Sequence, residues 1–129
     1  MARPRILLVG IDPRVMDYAA GPLAGFTAES VLHVLEEARA QVTRHDIAAD
    51  LCLIDLGATA ETALSAQLAG AHYDCIVIGA GVRVPAERLL LFETVVNLVH
   101  RLAPTSSIAF NTNPADSLAA ALRWLPRDR

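Results

Sequence analysis

Residues 75–83 read Cys75-Ile76-Val77-Ile78-Gly79-Ala80-Gly81-Val82-Arg83. Four consecutive apolar side chains, with no polar residue alternating between them, predict a strand buried on both faces, as in a parallel sheet. The run stops at two closely spaced glycines, which allow a tight turn and close backbone approach. N–H groups exposed in such a turn, beside a helix start, attract anions. Arg83 adds a guanidinium suited to a two-pronged contact with carboxylate or phosphate. Gly79, Gly81 and Arg83 are therefore candidate substrate-binding positions at the end of a buried strand.

Three more apolar runs lie outward from this one: Ile6 to Ile11, Leu51 to Leu56 and Ile108 to Phe110. Each meets turn residues, namely Asp12-Pro13, Gly57 and Asn111-Thr112-Asn113-Pro114. Helical patterns separate the runs. After Thr27, a capping residue, Val31, Leu32, Leu35, Ala38 and Val42 share one helix face, with Glu29 in the electropositive first turn. A second helix spans Thr59 to Ala69, with Glu61 early in it. A third spans Pro85 to Leu102, with Pro85 in its first turn. A fourth opens at Asn113-Pro114-Ala115-Asp116 and ends near Pro126. Val42 to Asp50 reads as a helix end and a turn, with a short extra strand as the alternative.

The order βαβαβαβα predicts a parallel sheet with helices on both faces. Among the few topologies that right-handed crossovers allow, the expected one is a three-layer, flavodoxin-like or Rossmann-like single α/β domain over residues 1–129, strand order 2-1-3-4. Ligands in such sheets bind beyond the carboxyl ends of the strands where the winding reverses, here between the first and third strands.

Composition narrows the function. The chain has 129 residues, 53% hydrophobic, enough to bury a core. The net charge of −3 and scattered arginines offer no basic face for nucleic acid. No apolar run reaches the roughly 18 residues of a membrane span. The basic start, Met1 to Arg5, leads into an apolar run that ends at Gly10, too short for a signal core. Two cysteines, Cys52 and Cys75, are too few for a disulfide scaffold and sit inside strands, as core residues do. A cytoplasmic location is expected. His33, His45 and His72 show no metal-ligand spacing, so no metal is assigned.

At the predicted cleft, the first strand exits into about fifteen residues, Asp12 to Phe26, against the roughly 2–6 usual for such a connection. Long loops here often serve as lids or binding loops, and this one carries Asp12, Arg14, Asp17 and Tyr18; the alternative is a crossover packed through Met16, Tyr18 and Phe26. Asn111 is the freer amide after the fourth strand, because Asn113 is used as a cap. Asp55 ends the second strand. Clustered acids invite comparison with phosphoryl-receiver domains, but the third strand ends in glycine and the chain contains no lysine. The glycine pair follows the third strand and lacks a third glycine at dinucleotide spacing. A serine- and threonine-rich loop for a flavin phosphate is missing as well. No cofactor is therefore expected.

The third helix is apolar on most sides, through Leu89, Leu90, Leu91, Phe92, Val95, Val96, Leu98 and Val99. A helix of that kind is normally covered on most sides. A homo-oligomer formed through residues 85–102 would cover it, and a C-terminal segment around Trp124 is the alternative. His100 lies roughly 22 Å along the axis from Pro85, away from the cleft, where with Arg101 it complements the helix dipole. Glu93 and Asn97 reach only a deep or intersubunit pocket.

The functional expectation is a small enzyme without cofactor, acting on a small anionic or polar metabolite by acid–base chemistry of the lyase, isomerase or hydrolase type. Asp12 is the acid or base, with Arg14 beside it and Tyr18 on the lid. Arg83 and the glycine-turn amides bind the anion, and Asn111 orients it. The alternative is a non-catalytic, dimeric ligand-binding or interaction module. An enzyme requires a pocket of roughly 300 Å³ or more with Asp12 facing Arg83 and Asn111.

Overall fold

The computed structural model describes residues 3–19 and 21–125. The strands β1 (Arg5–Ile11), β2 (Ala48–Ile54), β3 (Cys75–Ile78) and β4 (Ser107–Phe110) form one parallel sheet in the order β2-β1-β3-β4. The helices are α1 (Ala28–Thr43), α2 (Ala60–Gly70), α3 (Ala80–Arg83), α4 (Leu89–Leu102) and α5 (Ser117–Leu122). This is the three-layer α/β arrangement, with the flavodoxin-like strand order, that the apolar runs predict.

The period of two along each strand divides the core. Leu7, Val9, Ile11, Cys52, Ile54, Ile76 and Ile78 face the layer that holds α2 and α4, which contribute Leu64, Leu68, Leu91, Val95, Leu98 and Val99. Ile6, Leu8, Ala49, Cys75, Val77 and Ala109 face α1 and α5, which contribute Val42, Ala120 and Ala121. β3 is buried at all four positions, as its unbroken apolar run requires. At α1, the Thr27 side chain accepts from Ser30 N and the Ser30 hydroxyl accepts from Thr27 N, a reciprocal cap.

Four boundaries differ from the sequence reading. Gly79-Ala80-Gly81 does not form an open loop. Gly79 precedes a single helical turn, α3, which sends Val82 into the core. Pro85 stands before the third helix, where its carbonyl accepts from Arg88 N to close a 3-10 turn, so α4 starts at Leu89. β2 begins at Ala48, three residues before its apolar run, because Asp50 finds partners at the sheet edge in Arg5 and Tyr73. The Asn113 cap opens a 3-10 turn, Pro114–Asp116, and α5 follows at Ser117. The expected helix end at Pro126 lies outside the described residues.

The described part of the C-terminal segment does not cover α4. α5 packs on the opposite sheet face, and Trp124 is 56% exposed, so residues up to 125 do not shield α4. Leu91, Val95, Leu98 and Val99 are buried against the sheet, whereas Leu89 and Leu90 stand 60% and 75% exposed. No helix among the described residues is long and apolar enough to cross a membrane.

Candidate functional site

The strand register sets the height of each candidate side chain. Val9 pairs with Ile78, and Ile78 with Phe110, so Gly79 and Asn111 leave the sheet at one level. β1 continues two residues further, to Ile11, which pairs with Ile54 of β2. Asp12 is therefore carried past the glycine turn, and its N–H donates to the Ile54 carbonyl at 2.8 Å on the β2 side. Two polar clusters result, one at β3 and β4 and one at the exit of β1.

In the first cluster, Asn111 is buried. Its Oδ1 accepts from Ala80 N at 2.8 Å, and its Nδ2 donates to Ser117 Oγ at 3.0 Å. Ser117 in turn donates to the Pro114 carbonyl. Arg83 folds back over the Phe110 ring and donates from one terminal nitrogen to the Asn111 carbonyl at 2.8 Å. The Arg83 Nε is buried and has no partner among the described residues. Asn111 and Arg83 thus tie the turn after β3 to the turn after β4. The Gly81 carbonyl accepts from Arg88 at 2.6 Å.

In the second cluster, Asp12 caps the 3-10 turn Pro13–Val15 by accepting from Arg14 N at 2.9 Å, and both its oxygens also receive the Arg14 side chain. Those hydrogen bonds hold the Asp12 carboxyl below its ordinary value, against a smaller opposing effect of burial. Tyr18 donates to the Pro13 carbonyl at 2.7 Å. Burial first, and then the nearby Asp12 charge, push its phenol upward, so it stays protonated. The long exit from β1 is thus a hydrogen-bonded crossover, with Met16 packed on the core and positive φ angles at Gly21 and Gly25. Between the clusters, the Ile11 side chain lies beside Gly81: a Cβ added there would sit 3.7 Å from Ile11 Cγ1.

Asp55, at the end of β2, accepts from Gly57 N, Thr59 N and the Thr59 hydroxyl. The Thr59 hydroxyl, with these N–H groups, draws its carboxyl below the ordinary value. Asp116 is engaged similarly by Thr112 N and the Thr112 hydroxyl.

An open volume lies beside these clusters, on the α2 and α4 face. A cavity of about 460 Å³ sits between the start of α2 and the start of α4, edged by Leu56, Glu61, Glu87, Arg88, Leu90 and Thr94. It shares Glu61, Leu90 and Thr94 with a second hollow of about 380 Å³, which runs down α4 past Glu93 and Asn97 to Arg101. Together they form one groove, in which Leu56, Leu90, Leu91 and Leu98 alternate with polar and charged side chains. Sequence reading singled out Glu93 and Asn97 but missed the upper part. Its one signal was Leu56, an apolar residue past the end of β2 that packing in the sheet does not use. No group of three or more His, Cys, Asp and Glu residues suited to a metal ion occurs among the described residues.

Compared with family models, with curated proteins and with solved structures, the chain gives no significant match.

Proposed function

We propose that this chain is a non-catalytic, flavodoxin-like binding module that takes a small polar ligand in the upper part of the groove between α2 and α4. One observation carries this reading. The polar side chains gathered at the strand ends already serve the fold, while α2 and α4 enclose an open volume on the same edge. An opening of about 460 Å³ is within the range of small-ligand sites, which combine apolar walls with a few polar groups. Leu56, Leu90 and Leu91 supply the walls here; Glu61, Glu87 and Thr94 supply the polar groups.

An acid–base enzyme working through Asp12 draws less support. A general acid or base is most effective with a pKa near the working pH. Arg14 moves Asp12 in the opposite direction and occupies both of its oxygens. Arg83 points its hydrogen bond into the fold, at the Asn111 carbonyl.

A thermal-shift screen with cationic, neutral and anionic metabolites tests the proposal, because a ligand that binds only the folded state raises Tm. The expected hit stabilises the parent and Asp12→Asn equally, and loses its effect in Glu61→Gln or Thr94→Val. A ligand that depends on Asp12 or Arg83 instead, or turnover abolished by Asp12→Asn, overturns the reading.

A further inference from the structure

The lower part of the groove carries its own pattern. Leu90, Glu93, Thr94, Asn97, Leu98 and Arg101 line it from α4, and Glu61 from α2. Acids occupy the end near the start of α4, and the arginine occupies the other end. Glu61, Glu93 and Arg101 form no ion pair among the described residues. Among the described residues, Leu90 is the most exposed of the large apolar ones, at 75%.

A stripe that is acidic at one end and basic at the other complements itself when reversed. We infer that this face is a two-fold dimer interface in which α4 packs antiparallel against α4 of a second copy. Two-fold symmetry requires a patch to be its own complement, which this stripe satisfies. Leu90 and Arg101 are about 16 Å apart along the axis, at 1.5 Å per residue. An antiparallel pairing centred between Thr94 and Asn97 sets Glu93 level with the partner's Leu98, about 5 Å along the axis from its Arg101 and within reach of the long side chains, with Glu61 flanking from α2. Leu90 then enters the hollow between α2 and α4 of the other copy, and the four helices pack as a bundle.

The pairing also bears on the proposed ligand site, and to that extent rests on the binding-module reading. Glu61, Leu90 and Thr94 belong to both parts of the groove. A second copy would close the lower end of the upper opening and bring the partner's Arg101 to its edge.

Charge reversal in the full-length chain tests the inference, with association measured by sedimentation velocity over a concentration series. The parent is expected to be a dimer. Arg101→Glu and Glu93→Arg should each weaken it at least about tenfold, since facing like charges repel. The double variant should recover most of the loss, which a merely destabilised fold would not do. Unchanged far-ultraviolet circular dichroism confirms that each variant folds. A monomeric parent, or a dimer indifferent to both single reversals, overturns the inference. Ligand stabilisation through Glu61 and Thr94 in a monomeric parent would sink the dimer alone. Asp12-dependent turnover in an intact dimer would sink the binding-module reading alone.

Discussion

Arg83 donates to the backbone carbonyl of Asn111 at 2.8 Å, and through this contact two residues chosen as ligand contacts hold each other. Asn111 does more of the holding. It is buried, accepts from Ala80 N and donates to Ser117. Asn111→Ala leaves the part-buried Ala80 N–H without its acceptor, while the Ser117 hydroxyl keeps the Pro114 carbonyl, so the expected cost is about 1–3 kcal/mol. Arg83→Ala removes one hydrogen bond and also the buried Nε that lacks a partner among the described residues, so its expected cost is below about 1 kcal/mol. Urea denaturation of the two variants checks the ranking. A larger loss for Arg83→Ala would mean that Arg83, not Asn111, is the principal tie.

The two glycines that end β3 make different demands. A Cβ on Gly79 would stand 3.0 Å from the Val9 carbonyl oxygen, a backbone atom in the middle of the sheet. Gly79→Ala should therefore cost about 1–3 kcal/mol, as overpacked sites do. Gly81 is exposed, lies within α3, and would meet only ordinary contacts at 3.7 Å and 3.9 Å. Gly81→Ala should stabilise by about 0.5–1 kcal/mol, the usual gain from replacing a helical glycine. Thermal melts of both variants read opposite signs. A stabilising Gly79→Ala would show that the approach to Val9 is not close.

The strands were legible because their apolar runs are nearly continuous, most of all in β3, which is buried at all four positions. The order β2-β1-β3-β4 followed from the alternation with helices. Residues 79–83 were misread because two glycines argue for a loop. What decides that segment is tertiary: Val82 has a place in the core, and the turn coils to reach it. Asp50 hid the start of β2 for a similar reason. A charged residue inside a strand argues against it until its partners are known, here Arg5 and a hydrogen bond from the buried Tyr73 at 2.7 Å. The groove between α2 and α4 was not legible, because it depends on how two helices splay. The exposed leucines of α4 were visible only as an excess of apolar residues.

Cys52 and Cys75 belong to the two opposite faces of the sheet, and both are buried. Burial pushes each thiol up to about 11. The reactive form is the thiolate, which is then scarce at neutral pH as well as shielded. Native protein should take up iodoacetamide slowly at both positions, and urea-unfolded protein should be alkylated quickly at both. Intact-mass measurement over time counts the adducts. Rapid modification of either cysteine under native conditions would contradict the burial and point to local opening of its layer.

The carboxylates at the strand ends make a pH prediction with a definite sign. Asp12 is held below its ordinary value by its hydrogen bonds to Arg14, and Asp55 by the Thr59 hydroxyl and nearby N–H groups. For Asp116, burial works upward, and the Thr112 hydroxyl and N–H outweigh it. A carboxyl with a lower pKa in the folded than in the unfolded state binds its proton more readily when unfolded. Its contribution to stability is therefore complete above the unfolded value, near 3.9 for Asp, and is lost as pH falls through the folded value. Stability should be nearly flat above about pH 5 and decline below about pH 4. Arg14 is 83% exposed, so Arg14→Ala should leave stability at neutral pH nearly unchanged. The same variant should raise the Asp12 titration midpoint toward that of an ordinary aspartate. Carboxyl chemical shifts followed by NMR across the acid range measure this directly. An unmoved midpoint would mean that Arg14 does not hold Asp12 in solution, which would return Asp12 to consideration as a proton-transfer group.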